Sequence, residues 1–219
     1  MAIPEIGRAV PSYGRPTPDP LEGRGQDEVL AEVGRYCDIE ERLTLVPPSA
    51  KVRGVYCRSI DSALTEAGKI KRYRELFPRE LGTLQWHPCG EFLKRLVVAS
   101  ALLVGPERVH EGMLEIARRN ALEFARSLLG RMLMRLLSRD PRKLLLQGVA
   151  GRRQTLSYGN WQVTFPEERM AIVSMVEEYL YIDSYALGSA RGTFDAIGVQ
   201  LDARCELDTK FVGRHILRW

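Results

Sequence analysis

This 219-residue chain has no long apolar run, few histidines, few lysines and no paired cysteines, and each shortage removes a class of function. Its most apolar stretch, "LVVASALLVG" at 96–105, is about half of what a bilayer-spanning helix needs and suits a buried core helix. The opening "MAIPEIGRAVPSYGRPTPDP" lacks the apolar centre of a secretory signal, so a cytoplasmic protein is expected. Cys37, Cys57, Cys89 and Cys205 stand far apart, with no Cys-x-x-Cys among them. That spacing argues against a zinc site and against a disulfide framework, and leaves four reduced thiols. His87, His110 and His215 are not at ligand spacing, which excludes a multi-histidine metal site; neither metal nor cofactor is expected. The formal charge of +4 is too small to imply a nucleic-acid partner.

What is present divides near residue 24. Residues 1–24 hold Pro4, Pro11, Pro16, Pro18, Pro20 and repeated glycines, and read as an irregular arm with no face to bury. Residues 25–219 are expected to form one domain. Helical spacing begins at Leu30, Val33 and Cys37 and is broken by Pro47 and Pro48. "VRGVYCRSIDSALTEAG" reads as a strand-like start running into a helix that stops at Gly68, and a short helix around 70–76 precedes Pro78. The next helix, over 88–105, places Phe92, Leu93, Leu96, Val97, Ser100 and Leu103 on one face. Over 106–138, Val109, Met113, Ile116, Phe124, Leu128, Met132 and Leu136 recur mostly at three- and four-residue steps, which predicts the central and most buried helix. Asp140 as N-cap and Pro141 in the first turn restart a helix.

After Gly151 the period falls to two. "QTLSYGNWQVTF" predicts a hairpin turning at Gly159–Asn160, with Trp161, Val163 and Phe165 on one face. "RMAIVSMV", "VQLDARCEL" and "FVGRHILRW" are further strands, and "YALGSARGTFDAIG" is a glycine-interrupted helix. The expected fold class is α+β: a helical N-terminal half packed on a C-terminal antiparallel sheet that carries one further helix.

Several segments fit one template: "ERLTLVPPSAKVRGVYCRSI", "WHPCGEFLKRLVVASALL", "SRDPRKLLLQG", "LSYGNWQV" and the tryptophan-ending last strand. Together they resemble the large myxobacterial paralogous family of unknown function, over about residues 40–219, with the arm outside. That resemblance implies a fold and no particular reaction. The arrangement is also similar to the superfamily of haem–nitric-oxide sensors, vinyl-reductase-type small-molecule domains and Golgi trafficking subunits. This second likeness implies a ligand or acyl chain held in an apolar cavity between helices and sheet. Haem sensors of that superfamily use a helical histidine and a Tyr-x-Ser-x-Arg motif. The motif is absent and "QTLSYGNW" contains no histidine, so haem does not follow.

Candidate chemistry is thin. In "WHPCGEF", His87 lies two residues before Cys89 at a helix start, where the dipole acidifies a thiol; a Cys89/His87 nucleophile pair is the enzymatic alternative. A zinc deaminase would need a second thiolate three residues on, and Phe92 stands there, so a structural role at the helix start is favoured. His110 and His215 have no partner in the pattern, and adjacent Glu177 and Glu178 diverge instead of forming an acid pair. "GSARG" lacks the lysine of a phosphate loop. Ten basic residues fall within 118–153, and Arg131, Arg135 and Arg139 step by four along one helix face. They form either a solvated face or a docking surface for a ligand or partner; RNA would call for interleaved aromatics. The reading is a non-enzymatic module that binds a small apolar ligand or a protein partner in signalling or regulation.

Overall fold

The computed structural model describes residues 21–137 and 140–219. Residues 1–20 of the expected arm lie outside that range, but its end does not hang free. Leu21 is fully buried, and Arg72 donates to its carbonyl at 2.9 Å.

The first helical stretch is two helices, α1 (Gln26–Val33) and α2 (Ile39–Leu45). Gly34, Arg35 and Tyr36 bond back to the carbonyls of Leu30, Glu32 and Val33 and close the first of them. Strand β1 (Lys51–Arg53) leads into α3 (Val55–Glu66), which is followed by Gly68 at φ +70°, a left-handed position that favours glycine. Helix α4 (Ile70–Leu76) precedes β2 (Trp86–Pro88), which pairs antiparallel with β1 and sets Val52 opposite His87.

Helix α5 (Cys89–Val104) is buried around most of its circumference from Phe92 to Leu103, and it takes the central place expected of the next helix. From Phe92 to Leu103 only Lys94, Arg95 and Ser100 interrupt its apolar run, and a helix that is apolar on nearly all sides must be enclosed. The stretch after it is not one helix either. A single 3-10 turn at Pro106–Arg108 leads into α6 (Val109–Arg126), and α7 (Leu128–Leu136) starts after a break at Ser127. Ser127 is extended (ψ 162°) and caps α7 by accepting from Gly130 N–H at 3.0 Å. A Cβ at Gly130 would sit 1.9 Å from the Phe124 carbonyl, so glycine lets α7 fold closely against the end of α6.

The apolar stripe is therefore buried only in its first half. Val109, Met113 and Ile116 are in the core, whereas Phe124 is 43% exposed and Leu128, Met132 and Leu136 more so. The expectation that Phe124 is a core residue is overturned. Phe124→Ala should cost less than about 1 kcal/mol, whereas Ile116→Ala should cost about 2–5 kcal/mol as a large core truncation. Equal losses in urea unfolding would contradict this facing.

Helix α8 (Pro141–Arg152) begins as expected, with the Asp140 side chain accepting from Arg142 N–H. The four-stranded antiparallel sheet follows: β3 (Asn160–Glu167), β4 (Met170–Val176), β5 (Asp202–Thr209) and β6 (Val212–Arg218), in the order β3-β4-β6-β5. The Gly159–Asn160 step leads into β3 and is not the hairpin turn; the chain reverses at Glu168–Arg169, where Glu167 pairs with Met170. Between β4 and β5, a π-helical turn at Ile182–Ala186 runs into α9 (Leu187–Ile197). Leu145 of α8 and Phe194 of α9 pack with Ala171, Val173, Met175 and Leu217 of the sheet, while α9 also lies along α6. The fold is α+β, with the helices and the sheet meeting along a seam.

Candidate functional site

A buried ion pair closes this seam. Arg152 at the end of α8 and Glu178 just past β4 are almost fully enclosed and meet through Nη2 and Oε2. The same Glu178 oxygen accepts from Trp161 Nε1 at 2.7 Å, and the other accepts from the Leu180 backbone N–H at 3.0 Å. Arg152 donates to the Tyr158 carbonyl at 2.6 Å, and its guanidinium lies against the Trp161 and Tyr158 rings. Both carboxylate oxygens have donors, as a charge taken out of water requires. Glu177 faces solvent beside it, so the two adjacent carboxylates make no acid pair. Tyr56, Phe92 and Tyr185 form an aromatic cluster in the same seam, and the buried Tyr185 hydroxyl has no hydrogen-bond partner among the described residues.

Nothing in the chain pattern singled out Glu178. An acidic residue beside another acidic residue reads as solvated, and Arg152 lies 26 positions away.

Cys89 opens α5 and is fully buried; its thiol donates to the Tyr158 hydroxyl at 3.4 Å. Burial pushes this thiol up to about 12, the reverse of the acidification expected from a helix start, because desolvation of a thiolate outweighs the dipole. The neighbouring imidazole is also enclosed, with His87 Nε2 donating to the Gly82 carbonyl at 2.9 Å. The Cys89/His87 alternative thus lacks the exposed, acidic thiol it depends on.

The tertiary fold does bring a serine, a histidine and an aspartate together, from positions 74 residues apart. His110, near the start of α6, places Nδ1 3.4 Å from Ser184 Oγ and 3.8 Å from the Asp183 carboxylate. Both oxygens share one ring nitrogen, whereas a serine nucleophile needs its base at Nε2 and the carboxylate at Nδ1. This cluster anchors the π-helical turn to α6.

His215 on β6 is buried, with Nε2 donating to the Ile182 carbonyl at 2.7 Å. Burial holds its imidazole below the ordinary value, against smaller opposing effects of that carbonyl and of Asp183. The unfolded chain therefore binds the proton first as pH falls, so the stability His215 contributes is complete above its unfolded value near ~6.5 and is lost through the lower folded value. The unfolding midpoint should fall as the solution is acidified through this window, and His215→Gln should flatten that portion of the curve. Identical slopes in the two proteins would contradict the assignment.

The arginines of 118–153 separate into two groups. Arg118 pairs with Glu115 and Asp195, Arg119 with Glu115 and Glu66, and Arg152 with Glu178. Arg126, Arg131 and Arg135 are exposed, with no ion pair to a described residue, and Arg139 lies outside the described residues. On α7 the two arginines border an apolar face of Leu128, Leu129, Met132 and Leu136, which are 61–78% exposed. Single exposed apolar side chains are ordinary; four on a helix of about two and a half turns make a surface.

Two concavities lie elsewhere. A shallow groove of about 510 Å³ runs past Arg153, Ser157, Tyr158, Asn160 and Glu177, and a pocket of about 140 Å³ sits between Cys57, Asp61, Tyr73, Phe77 and Arg95.

A family model described as a protein of unknown function (DUF2378) matches residues 46–209. No curated protein matches the chain. Among solved structures, the Fe(II) unliganded H-NOX protein from K. algicida is similar with a TM-score of 0.58 and 12% identity, over 76% of this chain and 95% of that one. The Fe(II)NO form of an H-NOX protein from S. oneidensis gives 0.57 and 10%, over 76% and 98%. An oxygen-binding H-NOX domain related to soluble guanylate cyclases gives 0.57 and 12%, over 75% and 91%. At such identities the likeness is one of fold.

The side chains do not fit the haem that this fold carries elsewhere. Aromatic rings and the Arg152–Glu178 pair line the seam, His87 and His215 are buried with their Nε2 atoms engaged, and the 510 Å³ groove has no histidine in its lining. Among the described residues, His110 engages only its Nδ1, with Ser184 and Asp183, packs its ring edge-on against Tyr181, and is not in the lining of the 510 Å³ groove.

Proposed function

Since the chain belongs to the DUF2378 family of proteins of unknown function, we propose that it is a non-enzymatic, cytoplasmic binding module of H-NOX-like fold, acting in signalling or regulation. Its binding surface is the α7 face. The observation that carries this reading is the four-residue apolar face of α7, bordered by Arg131 and Arg135 and packed mainly against α6 on its other side. Arg139 belongs to the same basic series by its spacing.

Leu136→Cys in the full chain tests the reading. In purified protein, maleimide should modify position 136 quickly, as expected for a side chain 78% exposed. In lysate of the native cells, a docked face should be modified at least tenfold more slowly. Equal rates in lysate and in purified protein would remove the docking reading.

A second reading, a small apolar ligand taken into the helix–sheet seam, is favoured by the unpartnered Tyr185 hydroxyl and by the fold. It expects an unfolding midpoint that rises with the concentration of an added ligand.

A further inference from the structure

Helix α7 differs from the rest of the surface in charge as well as in apolarity. From Phe124 to Arg139 the chain contains Arg126, Arg131, Arg135 and Arg139 and not one aspartate or glutamate. Several exposed arginines elsewhere are ion-paired, as Arg108 is with Glu111 and Arg214 with Glu206, whereas Arg126, Arg131 and Arg135 have no ion pair to a described residue. On α7, Arg131 and Arg135 run along one border of the stripe formed by Leu128, Met132 and Leu136, each stepping by four. The side chains are largely exposed and belong to neither of the two concavities described above.

We infer that α7 is a membrane-surface anchor that lays its leucine–methionine face into bilayers rich in anionic phospholipid. This rests on the docking reading above and names the occupant of that face. A bilayer accepts a protruding apolar face without a shape to match, and an anionic headgroup layer complements arginines that have no ion pair to a described residue. At nine residues the helix is about 14 Å long, roughly half the hydrocarbon thickness, so it lies in the interface and does not cross it. A second copy of the chain suits the face less well, since two α7 helices in contact would oppose arginine with arginine. An acidic amphipathic helix of another protein is the competing occupant.

Vesicle flotation with the full chain tests the inference. The protein should float with vesicles of phosphatidylcholine mixed with phosphatidylglycerol, should stay behind with phosphatidylcholine alone, and should be released by high salt. Each arginine near an anionic surface strengthens binding about fivefold, so the double replacement R131Q/R135Q should weaken partitioning roughly 30-fold. L128Q/L136Q should abolish flotation while leaving the unfolding midpoint unchanged, because both side chains are exposed. Failure to float with the anionic vesicles overturns the lipid assignment, and so does equal flotation of L128Q/L136Q. The maleimide experiment separates that failure from failure of docking. Protection of position 136 that survives removal of membranes from the lysate assigns the face to a protein partner. Protection absent even from whole lysate ends both ideas.

Discussion

Glu178→Ala should destabilise the protein by about 3–5 kcal/mol, or leave it unfolded, because it strands the Arg152 guanidinium in the seam without its counter-charge. The same change removes the acceptor of Trp161 Nε1 and of the Leu180 N–H, and buried donors left unmet add their own desolvation cost. The size of the effect reflects the orphaned charge more than any large net worth of the pair. A double replacement, Arg152→Met with Glu178→Leu, should therefore recover the part of the loss that comes from the stranded charge, leaving the cost of the unmet Trp161 and Leu180 donors. Urea unfolding of the three proteins decides the matter. A single-variant loss below about 1 kcal/mol would show that water reaches the pair.

Alanine at Gly188 or Gly192 should cost about 1–3 kcal/mol or more at each position, since the contact between α6 and α9 is made through backbone. A Cβ at Gly188 would lie 2.2 Å from the Leu114 carbonyl oxygen, and one at Gly192 would lie 2.3 Å from that of Arg118. Both obstacles are main-chain atoms of α6, so relief requires moving a helix that also packs on α5 and α3. Gly148 gives the contrast. It is exposed within α8, with nothing within 4 Å of its would-be Cβ, so Gly148→Ala should stabilise by about 0.5–1 kcal/mol through helix propensity alone. If all three variants shift the denaturation midpoint alike, the close approach of α9 to α6 is wrong.

These expectations depend on distances, and the amino-acid order foretells them unevenly. Local signals were legible because they act over a few residues: the Asp140–Pro141 helix start, the stop at Gly68, and the alternation of Trp161, Val163 and Phe165. The α+β class and the family followed from such signals and from the segments around 41–60 and 86–103. One turn was misplaced. A Gly-Asn pair is compatible with a hairpin and with the approach to a strand, and pairing partners decided for the second.

The helix over 106–138 shows where periodicity stops being informative. Ile116, Phe124, Leu128, Met132 and Leu136 share a helical stripe, and the pattern cannot tell a core-facing stripe from one that faces outward. Ser127 and Gly130 carried the signal for the break, but a serine and a glycine within an apolar helix gain that meaning only when the chain folds back on Phe124. The candidate site divides the same way. Arg131 and Arg135 were visible at once as a four-step series, whereas the leucines beside them looked like core. The Arg152–Glu178–Trp161 network and the His110–Ser184–Asp183 cluster join positions tens of residues apart, with nothing local to announce them. Cys89 follows the same physical rule: a helix start acidifies a thiol only if water or a counter-charge reaches it, and burial withholds the water. The order of residues determined the elements and their class, because capping and alternation are local. Tertiary structure alone decided which apolar stripe is covered, which charges meet and which thiol is sealed, because these depend on what packs against them.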